Sequence, residues 1–265
     1  MVPPVDTPGV PGRFRAMMGS IAGMRSKEDD TVTALDYTRF EALTFDCYGT
    51  LIDWEAGIVA GLRPAVARRG IEASDDELLE VYAGFESAAE AGPYTRYRNI
   101  LGRCLLEVGG HYGFEADEDE VAAFSDTVGE WPAFPDSAAS LSLLHDRFRL
   151  GVITNCDDDL FARSAIRLRT TFDWVVTAQS AGAYKPDERP FEVAFERIGL
   201  PADRILHVAQ SLFHDHVPAR RLGLSTVWID RRHDRPGFGA TPPAEVTPDA
   251  TFTDMASFAA AAVAG

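Results

Sequence analysis

Apolar residues along this chain follow two rhythms. Short, nearly unbroken apolar runs, as expected of strands buried on both faces of a parallel sheet, occur at ALTF (42–45) and within RLGVITN, WVVTAQ, ILHVAQS and STVWIDRR. Helical spacing marks LRPAVARRG, DDELLEVYAGFESAAEA and YRNILGRCLLEVGGHYG between the first run and the second, then DDLFARSAIRL, PFEVAFERIGL and DHVPARRLGL between later runs. Ser74 followed three residues later by Glu77 predicts a capping-box helix start. From Phe134 onward strand and helix alternate, which predicts an α/β parallel sheet with right-handed crossovers. The chain therefore divides into a core opening at 35–53, an inserted helical module at 54–134 and the remaining core at 135–265. Residues 1–34 hold scattered prolines, glycines and charges without periodicity, and read as a mobile leader. No fixed-period repeat is present, which excludes a solenoid.

With 46% hydrophobic residues, a chain of 265 can bury a substantial core. Its 41 acidic against 25 basic side chains give a net charge of −16. That field repels phosphate backbones and anionic lipid, so neither nucleic acid nor membrane is expected as a partner. A small anionic substrate would need positive charge concentrated at its site, for which Lys185 and some arginines are candidates. Cys47, Cys104 and Cys156 are too few and too scattered for a disulfide framework or a zinc site, which suits a reducing cytoplasm. Cys47 and Cys156 follow strand ends and are assigned no role. No apolar run reaches the roughly 18 residues of a membrane span, and AMMGSIAGM between Arg15 and Arg25 is a poor signal-peptide core. The sequence leaves a homodimer open.

Polar residues stand where the predicted strands end: Asp46, then Thr154 with Asn155, Gln179, and Gln210 with Ser211. In an open parallel sheet these ends gather along the edge that binds ligands. Asp46 leads into Gly49 and Thr50, so it either caps a tight turn or presents a carboxylate to that edge. Lys185 follows the third run by a short loop and is the nearest candidate counter-charge. Thr50, Thr154 and Asn155 supply short hydrogen-bond donors that could equally cap following helices.

The ordered motifs DCYGT (46–50), ITN (153–155), YKPDERPF (184–191) and HVAQSLFHDH (207–216) resemble those of the haloacid dehalogenase superfamily over about residues 41–232. The resemblance implies a Rossmann-like core with a helical cap domain that closes over the site. It also implies that Asp46 is a nucleophile and that Thr154 and Lys185 stabilise it. Acidic residues of the fourth motif often hold magnesium in that superfamily. This chain departs from its phosphatase branches at two positions: Tyr48 stands where a general-acid Asp is found, and Gln210 where the first magnesium-binding Asp is found, leaving Asp215. Magnesium needs hard oxygen ligands and usually one or two carboxylates, so neither metal nor cofactor is expected.

The DxYGT form resembles the L-2-haloacid dehalogenase branch, which implies a metal-free route through an aspartyl ester with Asp215 positioning or activating water. A carboxylate held against a carbon bearing a leaving group is a competent nucleophile, and a buried lysine can lower its pKa. Tyr48, Asn155, Gln210 and Ser211 are expected to contact substrate. Phe191 and Leu212 stand where that branch has Tyr and Asn. Its cap arginine, which binds halide or carboxylate, has no clear match, although Arg96 and Arg98 in PYTRYR could reach the site or line a solvated helix face. In HDH (214–216), two histidines and an aspartate in succession cannot converge on one metal, and no GxSxG elbow accompanies Ser211. Three classes follow: a metal-independent hydrolase acting at a halide-bearing or similarly activated carbon of a small 2-substituted carboxylic acid, a phosphatase with altered metal ligation, and a catalytically weak homologue that binds.

Overall fold

The structure is a computed structural model describing residues 35–235, 237 and 239–264, and the leader expected over residues 1–34 lies outside the described residues. β1 (Ala42–Phe45), buried at every position, is followed by four helices: α1 (Trp54–Ala67), α2 (Asp75–Glu90), α3 (Tyr97–Tyr112) and α4 (Glu118–Ser125). The core then continues through α5 (Ser137–His145), β2 (Arg149–Thr154), α6 (Asp158–Leu168), β3 (Trp174–Thr177), α7 (Ala178–Ala181) and α8 (Arg189–Ile198). It closes with β4 (Ile205–Ala209), α9 (Val217–Arg221), β5 (Ser225–Ile229), β6 (Ala250–Phe252) and α10 (Met255–Ala264). All pairings are parallel, in the order β3-β2-β1-β4-β5-β6. The strand order reverses beside β1, which makes its carboxyl end the topological switch point where such sheets bind ligands.

Two features fix the cap helices. α2 begins at the reciprocal capping box of Ser74 and Glu77. α3 has no capping side chain of its own, so its free N-terminal amides on Tyr97 and Arg98 are taken by the buried carboxylate of Asp157, at 3.0 and 3.2 Å, from the loop after β2. Tyr184 adds a second tie, donating its hydroxyl to the Thr95 carbonyl at 2.8 Å. On α1, Gly57 lets the helix lie against the Trp131 ring, where a Cβ would come within 2.2 Å. No helix among the described residues is long and apolar enough to cross a membrane.

Candidate active site

β1 delivers Asp46 to the switch point, and its backbone N–H still continues the sheet by donating to the Val208 carbonyl at 3.1 Å. The chain then turns sharply at Gly49, whose φ of +93° is the left-handed region that glycine occupies without strain. That turn brings the Thr50 hydroxyl back to donate to Asp46 Oδ2 at 2.7 Å, while Thr50 Oγ1 accepts the Gln210 amide at 2.8 Å. The other carboxylate oxygen, Oδ1, accepts from Lys185 Nζ at 2.9 Å. Lys185 also donates to Asp215 Oδ1 at 2.7 Å and to the Ile153 carbonyl at 2.8 Å, so all three ammonium protons have partners. Asn155 holds the lysine loop in register: its Oδ1 accepts the Lys185 amide at 2.8 Å and its Nδ2 donates to the Lys185 carbonyl at 3.0 Å. Asp215 lies in a single π-helical turn, Leu212–His216. Its Oδ1 accepts a second bond from His207 Nε2 at 3.0 Å, the imidazole being held on its other nitrogen by the Thr44 hydroxyl at 2.9 Å. Asp215 Oδ2 is buried with no hydrogen-bond partner.

Asp46, Lys185 and Asp215 open onto a cavity of about 30 Å³ whose other walls include Tyr48, Asn155, Ser211 and His214. The cap supplies Trp54, Glu86, Glu90 and Tyr97. Beyond Glu90, Lys185 and His214 a wider cleft of about 450 Å³ leads outward past Tyr94, Tyr184 and Phe213. Several expected contacts lie elsewhere. Arg98 is held outside the cavity by Asp126 and Asp159, each at 3.0 Å, and Arg96 is an exposed residue at the start of α3, so neither expected cap arginine lines the cavity. The reason is local: Asp157 fixes the start of α3 and the neighbouring acids draw Arg98 outward. Gln210 is also off the cavity wall; its side-chain oxygen accepts from the Thr241 hydroxyl at 3.3 Å. Thr154 is buried at the end of β2 with its hydroxyl unpartnered, and does not line the cavity either.

Residues 40–212 match the family of haloacid dehalogenase-like hydrolases. This chain belongs to that family. A curated relative, an (S)-2-haloacid dehalogenase of Pseudomonas sp. (strain YL), is 29% identical over 220 residues, covering 80% of this chain and 92% of that one. Among solved structures, an L-2-haloacid dehalogenase from Xanthobacter autotrophicus with chloropropionic acid covalently bound superposes with a TM-score of 0.70 at 18% identity, over 85% of this chain and 99% of that one. The protein YfnB of Bacillus subtilis, bound to magnesium, matches with a TM-score of 0.70 at 21% identity, over 85% and 99%. At those identities the two structures speak for the fold.

In this haloacid dehalogenase-like hydrolase, burial and the Lys185 charge contend at the site. Burial pushes the Asp46 carboxyl above its ordinary value, with Lys185 opposing and Asp215 reinforcing the shift. Burial would raise Asp215 too, yet Lys185 and His207 outweigh it and hold that carboxyl well below its ordinary value. Lys185 would lose basicity through burial, but Asp215 and Asp46 keep it above an ordinary lysine and charged. Burial lowers His214 to about 4, leaving a neutral imidazole at the cavity wall. His216, also lowered to about 4 by burial, donates to the Ala209 carbonyl at 3.0 Å and serves as a strut. Sequence reasoning missed Glu86, Glu90 and His207. The signal for Glu86 was present, since it stands on the buried stripe of α2 four residues after Tyr82. His207 interrupts an otherwise apolar strand.

Proposed function

We propose that the chain hydrolyses a carbon–halogen bond, or a bond to a similarly activated leaving group, in a small molecule through an ester formed on Asp46. The observation that carries this reading is one ammonium, Lys185, bridging two buried carboxylates of which one retains an unpartnered oxygen. An Asp46 oxygen attacks the carbon as the bond to the leaving group breaks, and the halide departs with the bonding electrons. Thr50 and Lys185 hold the carboxylate in the orientation for attack. Water then adds to the carboxyl carbon of the ester, passing its proton to the free oxygen of Asp215. Collapse of that adduct, with its hydroxyl proton passing to the departing oxygen, releases the alcohol with an oxygen that began on Asp46 and leaves Asp46 a carboxylate carrying the oxygen from water, and Asp215 then gives its proton to solvent. Burial that weakens Asp46 as an acid also makes it the better nucleophile, while Asp215 stays ionised, an acceptor for the attacking water that gives a proton up again readily. Small 2-halo acids are the class that the names of the relatives bring to this chain, and they are the first to assay.

The donor set does not suit magnesium. Among the described residues no group of three or more His, Cys, Asp or Glu side chains could hold a metal ion. Gln210 stands in place of one acid of the magnesium-binding pattern, and Asp46 Oδ1 and Asp215 Oδ1 both face an ammonium. No step is routed through a metal. A single turnover in ¹⁸O water with excess enzyme and a chelator tests the reading. The heavy isotope is expected in the peptide containing Asp46, with the new hydroxyl unlabelled. Full label in the product and none in that peptide would replace the ester by direct attack of water. Turnover confined to phosphate monoesters and abolished by chelator would favour the phosphatase class.

A further inference from the structure

A carboxylate-bearing substrate needs a cationic donor near the reacting carbon, and the cavity has none to offer. Lys185 is the cavity's only lysine or arginine among the described residues, and each of its three protons already has an acceptor. Of the arginines beyond the cavity wall, Arg231 is held by Asp136, Arg232 by Glu55 and Asp76, and Arg98 by Asp126 and Asp159, while Arg96 lies exposed at the start of α3. Trp54 stands between the cavity and the first two. The cap instead contributes two more carboxyl groups, Glu86 and Glu90, one helical turn apart on α2. Burial pushes the Glu86 carboxyl up to about 7, while its Oε1 accepts the hydroxyls of Tyr97 at 2.6 Å and Tyr82 at 2.7 Å, a pair of bonds that pulls the other way, toward the ionised form. Glu90 accepts from Asn155 at 3.2 Å, and the neutral His214 adds no positive charge. With two core carboxylates sharing one ammonium, and Asp215 Oδ2 unpartnered in the wall, the lining is negative before either glutamate ionises. Trp54, Tyr97 and, in the outer cleft, Tyr94 and Tyr184 supply aromatic rings, and acid beside aromatic is the chemistry that recognises an ammonium ion.

We propose that this site takes a small organic cation, with an ammonium group seated at Glu86 and Glu90 while the carbon bearing the leaving group faces Asp46. The proposal rests on the displacement reading only for what happens at that carbon. The charge preference belongs to the cavity whether or not a bond is broken.

Two measurements on the full chain keep the two ideas separate. Binding of three unreactive ligands of matched size, propylammonium, propionamide and propionate, is followed by calorimetry or protein NMR. Propylammonium is expected to bind at least about tenfold more tightly than propionate. The preference should shrink in Glu90→Gln and shrink further in Glu86→Gln/Glu90→Gln; should the double variant not fold, Glu90→Gln alone decides the point. A ratio below tenfold, binding by none of the three, or a ratio unchanged by these substitutions overturns the proposal. Bromide release is then compared for 3-bromopropylammonium, 3-bromopropionamide and 3-bromopropionate, with Asp46→Asn as the background. If the binding order holds but no bromide is released, the displacement chemistry fails and the charge preference stands.

Discussion

Replacing Lys185 by methionine keeps a flexible chain of similar length and removes one charge from between two carboxylates. At 2.9 and 2.7 Å, and with an effective dielectric constant near 20, each ion pair is worth about 6 kcal/mol of gross attraction. Desolvation of three buried groups cancels most of that sum, so the useful figure is the cost of orphaning a buried charge, about 3–5 kcal/mol. The loss depends on pH with a definite sign. In the native protein the depressed pKa of Asp215 contributes stability that is present above the unfolded value of about 3.9 and is lost as pH falls through the lower folded value. In Lys185→Met both Asp46 and Asp215 are raised by burial and by each other, so the variant loses stability as pH climbs above the unfolded value. The stability difference between the two proteins should therefore widen from acid to neutral pH. Urea denaturation at intervals from pH 4 to pH 8 measures it directly. A difference below about 1 kcal/mol at pH 8, or one that stays flat across the range, would refute the view that Lys185 is the electrostatic keystone of this cluster. Turnover should also fall, because the variant lacks the ammonium that orients Asp46 Oδ1 and favours its ionised, nucleophilic form.

Two further substitutions probe separate parts of the cavity. Asp46→Asn should lower kcat by about a thousandfold or more, because it removes the covalent route itself. Its melting temperature should not fall, because Lys185 and Asp215 remain as a balanced pair; substantial residual turnover would return Asp46 to the role of a turn cap. Glu86→Gln keeps the acceptor for both tyrosine hydroxyls and removes a carboxyl that burial raises to about 7. A carboxyl raised in the folded state costs stability as pH rises from its unfolded value to about 7, so the glutamine variant should be more stable at pH 8 by up to about 3 kcal/mol. Equal stability of the two proteins at pH 8 would show that Glu86 carries its charge without penalty.

The architecture was legible because the first five strands of the central sheet are short apolar runs leading into polar residues, and the first three cap helices carry their apolar stripes at helical spacing. Ser74 with Glu77 gave the start of α2 to the residue. The edge strand β6 escaped notice for the converse reason: Ala250, Thr251 and Phe252 are none of them fully buried, so no apolar run marks them. The expected strand through Gln179 stops at Thr177, where the hydroxyl accepts the Ser180 amide and opens α7. Side-chain direction was the part that spacing could not supply. For Arg96 and Arg98 the sequence left two readings, an inward reach toward an anion and a solvated helix face, and the outward one is found, because Asp157 caps the helix they open and acids on separate stretches of chain draw Arg98 outward.

The acids that line the cavity were visible as residues but not as a pattern, and the physics says why they carry information. A carboxyl on the buried face of a helix is disfavoured by desolvation, so it persists there only where it has partners or a task. Glu86 has partners in Tyr82 and Tyr97, which account for its own burial. They do not account for Glu90 one turn further on, whose carboxyl receives a single hydrogen bond from Asn155 and a longer contact with a neutral His214. Burial and the neighbouring Glu86 both drive the Glu90 carboxyl well above its ordinary value, against the opposing pull of Lys185 and Asn155. A buried carboxyl with so few partners is a poor brace for the fold and is left to bond, or to balance the charge of, what enters the cavity. The same position beside a bound carboxylate would gain one hydrogen bond, but the unshared negative charge of Asp46 and Asp215 would still oppose the ligand. The balance of charge around one fully committed lysine, more than the family's fold, therefore decides which molecules can approach Asp46.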